Sequence, residues 1–191
     1  MLQKPHIRLA AVLFFLLSGL AARGQEAMLG LYQSPKGVGV TAIFGTDWGE
    51  EMDILTLRTD FYGLLAGRTE QMGICASYTH DYAIYQLWQE PFDLILHAGA
   101  GGMIGYVHDW EKGLLSQFDR GLTHNFGLAV GLAGNIGLRV DFDRLTLDLS
   151  FLIAPGIHLR TDQDTGAVLL SYYRCGTIHA ALPQLNIMFR F

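Results

Sequence analysis

The amino-acid sequence predicts an all-β protein folded as an up-and-down antiparallel barrel of about eight strands. Apolar residues occupy every second position over long segments, which is the period of a strand and not of a helix. Half of the 191 residues are hydrophobic and only 16% are charged, a balance too apolar for a disordered chain. Glycine occurs 23 times, which is too often for a helical bundle.

The predicted strands follow one another along the whole chain. Residues 27–32 and 38–44 flank a turn at 34–37, and residues 52–61 and 71–80 flank a longer gap. Residues 92–106 supply the fifth strand. Residues 126–142 and 145–160 alternate most clearly and are joined by the short connection Asp141-Phe142-Asp143-Arg144, which predicts a long antiparallel hairpin. Residues 182–191 complete the eight.

The first 24 residues have the three parts of a secretory signal peptide. Lys4 and Arg8 give a positive start, residues 9–20 are apolar, and Ala22 and Gly24 form a small-residue cleavage site. A membrane anchor is the alternative, but the apolar run is too short to span a bilayer comfortably. We therefore expect a signal peptide at 1–24 and one barrel domain at 25–191.

The remaining composition excludes two classes of protein. No later run of 18 apolar residues exists, so we expect no transmembrane helix. The formal net charge is −5, which provides no basic surface for nucleic acid.

The two faces of the predicted strands differ in a way that indicates their surroundings. A soluble sandwich buries its apolar face, whereas a transmembrane barrel turns that face towards lipid. Here the polar face is rich in glycine and alanine, which suits a narrow and crowded interior better than a solvated exterior. Together with the signal peptide, this favours a transmembrane β-barrel.

The last strand carries a further feature, because apolar residues alternate up to a terminal aromatic at Leu185, Ile187, Phe189 and Phe191. This pattern resembles the C-terminal signature of bacterial outer-membrane β-barrels, which the barrel-assembly machinery reads during biogenesis. The chain is also similar to small eight-stranded OmpA-like barrels, including Bacteroidetes ones. The resemblance implies location in the cell outer membrane, contact with its lipid, and both termini in the periplasm. It implies short turns near 45–51, 84–91 and 142–144, and surface loops near 34–37, 61–70, 107–123 and 161–180.

Several charged residues fall on the predicted lumen face near the periplasmic end. They are Asp93, His97, Arg139, Asp141, Asp148 and Arg190. Arg190 and Asp148 lie on neighbouring predicted strands and are expected to pair directly. Eight strands enclose a lumen only wide enough for side chains, and buried charges must pair. The pattern therefore predicts a structural ion-pair plug. A gated polar path is the alternative and would need a wider barrel.

Other combinations of reactive residues do not predict a catalytic or metal site. Ser150 and His158 share a face but lie about 26 Å apart along a strand. His80 and Asp81 are adjacent in sequence and face opposite ways on a strand. We predict no catalytic residue, no metal ligand set and no cofactor. Cys75 and Cys175 are the two cysteines. The sequence leaves open whether they form a disulfide or remain two separate thiols.

The leading functional prediction is a non-enzymatic outer-membrane barrel. Its role is either structural or the recognition of a partner by the surface loops, and the sequence does not identify that partner. A porin-like pore for small solutes is one alternative. A membrane-embedded lipid-modifying enzyme is a second. A soluble exported barrel that binds a hydrophobic ligand is the remotest.

Overall fold

The computed structural model describes residues 26–35, 37–45, 50–65, 71–109, 126–161 and 165–191. The predicted signal peptide and most of the predicted 107–123 loop lie outside these ranges. The described residues form ten strands: β1 Glu26–Ser34, β2 Gly37–Gly45, β3 Glu51–Thr59, β4 Ile74–Gln89, β5 Phe92–His108, β6 Phe126–Phe142, β7 Leu145–Ile153, β8 Gly156–Thr161, β9 Val168–Tyr172 and β10 Gln184–Arg190. Helices α1 (Phe61–Leu65) and α2 (Arg174–Ile178) are short, and a 3-10 helix covers His179–Ala181. No described helix is long and apolar enough to cross a membrane.

The strands close into an eight-stranded antiparallel barrel, as the sequence predicts. Strands β1 to β7 pair in chain order, and β10 lies between β7 and β1. The seam between β1 and β10 places Met28 opposite Arg190 and Leu31 opposite Ile187. The barrel is therefore closed by strands from the two ends of the described chain.

The two ends of the barrel differ. One end carries the tight turns at Glu90-Pro91 and Asp143-Arg144 together with Phe191, and we call it the turn end. Asp143 has a φ of 42°, a left-handed conformation that aspartate tolerates in such turns. The opposite end, called the loop end, carries the two-residue connection between β1 and β2 and the longer connections that follow β3, β5 and β8. This arrangement agrees with the predicted alternation of short turns and longer loops.

Strand β4 is longer than predicted. The sequence places its end near residue 80 and a turn at 84–91, but β4 continues to Gln89 and the turn is only Glu90-Pro91. The register with β5 shifts between Ala83 and Tyr85. Such a bulge inserts one extra residue and interrupts the period of two. The predicted turn was wrong because the bulge interrupts the alternation, so the residues after it do not continue the pattern of the first half of β4.

The predicted strand 145–160 is broken in the middle. Strands β7 and β8 both pair with β6, so together they form one wall strand with a gap at Ala154-Pro155. Proline has no N–H to donate, although its carbonyl accepts the Leu132 N–H at 3.0 Å. The Ala154 N–H leaves the sheet and donates to the Gly176 carbonyl at 2.8 Å. The break is therefore the point where α2 attaches to the barrel.

The prediction of a surface loop at 161–180 is also wrong for most of the segment after residue 167. That part of the chain contains β9, α2 and the start of the 3-10 helix. Among the described strands, β9 pairs with β8 alone. Tyr173 and Cys175 are buried. The Asp109 carboxylate accepts the N–H of Arg174 at 3.2 Å and of Cys175 at 2.8 Å. This segment folds back onto the loop end of the barrel.

The burial pattern is that of a barrel with an apolar outside and a polar inside. Large apolar side chains on the outer face are exposed, including Leu132 at 71% and Leu31 and Leu170 at 67% each. Polar and charged side chains on the inner face are buried, including Thr41, Asp148 and His158 at 0%. An ordinary soluble domain has the opposite distribution.

Candidate functional site: the lumen charge cluster

The centre of the lumen holds a histidine between two carboxylates. Nδ1 of His97 lies 2.7 Å from Oδ2 of Asp81, and Nε2 lies 3.4 Å from Oδ1 of Asp148. All three side chains are at most 1% exposed. Ionised carboxylates only accept hydrogen bonds, so both ring nitrogens must donate and the imidazole is a cation in this arrangement.

Amide and hydroxyl groups hold the two carboxylates in place. Nδ2 of Asn135 donates to Asp81 at 2.8 Å, and Nδ2 of Asn186 donates to Asp148 at 3.1 Å. Thr41 in turn donates to Oδ1 of Asn186 at 2.8 Å. These contacts join strands from both sides of the barrel, so they stabilise its closure as well as the charges.

A second part of the cluster lies nearer the turn end and is centred on Asp141. Nε and Nη2 of Arg139 contact the two Asp141 oxygens at 2.8 and 2.6 Å, which is the bidentate geometry typical of strong arginine–carboxylate pairs. The Thr146 hydroxyl donates to Oδ1 of Asp141 at 2.6 Å, and Nη2 of Arg190 lies 3.3 Å from Oδ2. We call these two parts together the lumen charge cluster.

The charges in the lumen charge cluster balance. Its acids are Asp81, Asp141 and Asp148, and its cations are His97, Arg139 and Arg190. Because each acid has a cationic partner, the cluster can be buried without an uncompensated charge. The arrangement satisfies charges but presents no free nucleophile beside a base.

The residues that the sequence placed in the lumen are only partly brought together. His97, Arg139 and Asp148 are buried in the cluster. The expected pair of Arg190 with Asp148 does not form, because Arg190 contacts Asp141 and Asp148 lies opposite Asn186 in the register. Asp93 is half-buried and contacts no described residue through a hydrogen bond or ion pair.

Sequence reasoning missed three of the polar partners, Asp81, Asn135 and Asn186. Asp81 was detectable, because every second residue from Cys75 to Asp81 is buried on the inner face of β4. Asn135 and Asn186 lie at inward positions of predicted strands, but their partners depend on the register between strands.

Glycines on the inner face make room for the cluster. A Cβ added at Gly137 would lie 2.4 Å from Nε2 of His97, and one added at Gly99 would lie 2.2 Å from Oδ1 of Asp81. Such distances require the neighbouring atom to move. The glycine-rich inner face noted in the sequence is therefore part of the site.

We expect Gly137→Ala to lower the free energy of unfolding by about 1–3 kcal/mol, because the new methyl group displaces His97 from its carboxylates. The measurement is urea unfolding of the refolded protein in detergent, followed by gel mobility. Gly102→Ala is the matched control, since its added Cβ would meet its nearest atom at 3.5 Å. Equal midpoints for the two variants would contradict the crowding argument.

Apolar clusters fill the lumen beside the charges. One consists of Met28, Ile43, Met52, Ile54, Ile95 and Met188. The other lies nearer the loop end and consists of Cys75, Met103, Val107, Ala129, Ala154, Tyr173 and Cys175. The two thiols are buried in this second cluster, and no disulfide joins them. Among the cavities of the lumen, two measure about 10 Å³ each, and each admits about one water molecule.

The described residues contain no group of three or more His, Cys, Asp or Glu side chains placed to hold a metal ion. His80 faces outwards and its Nδ1 lies 2.8 Å from Oδ1 of Asp53, whereas Asp81 faces the lumen. Nε2 of His158 lies 3.0 Å from the Val107 carbonyl oxygen.

The alternating apolar residues of the C-terminal strand lie on the outer face, where Leu185, Ile187, Phe189 and Phe191 are exposed.

Comparison with known proteins adds no relative to this picture. No model of a protein family matches the chain, and neither the curated proteins nor the solved structures contain a match.

Proposed function

We propose that the protein is an integral outer-membrane β-barrel with a closed lumen, which serves a structural role or recognition at its loop end. The observation that carries the proposal is the inverted distribution of polarity. Outward side chains such as Leu57, Ile104 and Leu149 are 46%, 54% and 46% exposed, while charged side chains fill the interior. A continuous apolar belt of this kind is costly in water and favourable in lipid.

The dimensions of the barrel support a membrane setting. Strands β1, β2, β3 and β7 have 9 residues each. Nine residues extend about 30 Å, and a tilt of about 40° leaves roughly 23 Å of height, close to the ~25 Å apolar band of outer-membrane barrels.

Aromatic side chains lie near both rims of the belt. Phe92 and Phe142 pack together at the turn end with ring centres 6.1 Å apart. Tyr106 and Phe126 stack nearer the loop end at 5.9 Å. Aromatic girdles at the two interfaces are characteristic of membrane proteins. With the turn end in the periplasm, the barrel-assembly machinery and outer-membrane lipid are the partners that we propose.

Fractionation of the expressing cells tests the location. We expect the protein in the outer-membrane fraction, with a gel mobility that changes on boiling because the unboiled barrel stays folded in detergent. Recovery from the soluble periplasmic fraction would contradict the proposal and would favour a soluble barrel that binds an apolar ligand.

Conductance in a planar bilayer tests the closed lumen. The balanced charges and the two apolar clusters occupy the described lumen, so we expect no channel events from the purified barrel. Regular unitary currents would instead favour the porin-like alternative. An altered lipid profile in cells that express the protein would favour a lipid-modifying enzyme.

A further inference from the structure

The loop end of the lumen contains an arginine with no acidic partner among the described residues. Arg58 lies on the inner face of β3, where Nη1 is 3.4 Å from the Tyr32 hydroxyl and Nη2 is 3.8 Å from Sγ of Cys75. Both contacts are long, and neither partner is a carboxylate. Across the described residues, no carboxylate lies within 4.0 Å of this guanidinium, which has five N–H donors and remains charged.

One of the two small cavities adjoins Arg58. Its lining includes Tyr32, Ser34, Gln184 and the backbone of Gly176. The Gln184 side chain is only 8% exposed and makes no side-chain hydrogen bond within the described part of the chain. The N–H groups of this amide are therefore available to a species bound in the cavity.

The chemistry of this cavity favours a negative occupant. The Arg58 guanidinium, the Gln184 amide and the Tyr32 hydroxyl all offer N–H or O–H donors. In the lumen charge cluster every cation contacts a carboxylate, whereas no described carboxylate contacts Arg58. A water molecule would satisfy donors but would leave that charge uncompensated.

From this geometry we infer that the loop end of the barrel holds a binding site for a small monovalent anion the size of chloride, formed by Arg58 and Gln184. The cavity measures about 10 Å³, which is room for one water-sized species. Chloride and bromide are closer to a water molecule in size than sulfate or phosphate, so they match this space best. Arg58 is half-buried, so the anion enters from the loop end.

Unfolding in urea with different sodium salts tests the site, and urea is chosen because guanidinium chloride would itself supply chloride. At matched ionic strength, chloride and bromide should raise the urea midpoint saturably above its value in sulfate. A shift of about 0.5–1.4 M is expected at roughly ten times the dissociation constant. Arg58→Gln should abolish this difference between salts. Arg144→Gln, at the exposed turn on the opposite end, should keep it.

Two further results decide the inference if Arg58→Gln does not fold. Gln184→Leu keeps the positive charge of Arg58 but removes the amide. It should therefore raise the chloride concentration that gives half of the maximal shift in the urea midpoint. Crystals grown with bromide should show an anomalous peak within hydrogen-bond distance of Arg58. The inference is overturned by equal responses to chloride and sulfate, by a chloride response that survives in Arg58→Gln, or by a cavity that contains only water.

Discussion

Arg139→Leu should lower the free energy of unfolding by about 3–5 kcal/mol, which is the usual cost of removing one partner from a buried ion pair. Arg139 is 2% exposed and is the bidentate partner of Asp141. Without it, the buried Asp141 carboxylate keeps only the Thr146 hydroxyl and the longer contact with Arg190. Urea titration of the refolded barrel, read by gel mobility before and after boiling, measures the loss.

A double variant separates the cost of an unpaired charge from the loss of packing. Arg139→Leu combined with Asp141→Leu removes both charges and should recover most of the lost stability, because apolar replacement of a buried pair is often neutral. Arg144→Leu is the surface control and should change stability by less than about 0.5 kcal/mol. If the double variant were as unstable as the single one, the ion-pair account would be wrong.

His97→Leu should be comparably destabilising, by about 3–5 kcal/mol. The substitution leaves Asp81 and Asp148 facing the same buried space without the cation between them. Each carboxylate would keep one amide donor, Asn135 or Asn186, which satisfies a hydrogen bond but not a charge. The same urea titration at neutral pH measures the effect.

His80→Leu is the matched control for this second substitution. His80 also pairs with an aspartate, Asp53, at 2.8 Å, but the two side chains are 35% and 37% exposed. Exposed pairs contribute at most about 1 kcal/mol, so this variant should remain close to the parent protein. Adding Asp81→Asn and Asp148→Asn to His97→Leu should restore part of the stability. If His97→Leu and His80→Leu lowered the free energy of unfolding equally, burial of the lumen charge cluster would not determine how much its charges contribute to stability.

Much of the fold was predictable because a period of two is a local property of the sequence. Long alternating segments such as 126–142 needed no partner to be recognised, and the structure has a strand there with the same bounds. The alternation of apolar residues does not identify a strand where the backbone departs from the regular hydrogen-bonding pattern of a sheet. The bulge after Ala83 hid half of β4, and the break at Ala154-Pro155 was concealed by the apolar residues on both sides.

The lumen charge cluster was less predictable than the strands that carry it. Alternation shows that Arg139 and Asp148 face inwards, but it does not show which charges meet. Partners are set by the register between strands distant in sequence, and a shift of two residues keeps the face while changing every partner. This is why Arg190 was expected beside Asp148 and instead contacts Asp141. The α2 segment could not be predicted from periodicity, since five helical residues are too few to show one.

The seam between β1 and β10 has a consequence for biogenesis. Hairpins between neighbouring strands can form as soon as both are synthesised, but this seam requires the last strand to reach the first, and it is therefore the slowest closure. Until then a nascent chain presents two open edges, which readily pair with other chains. We therefore expect a holding chaperone to be needed until β10 is delivered, and a chain truncated before Gln184 to aggregate instead of forming a smaller barrel.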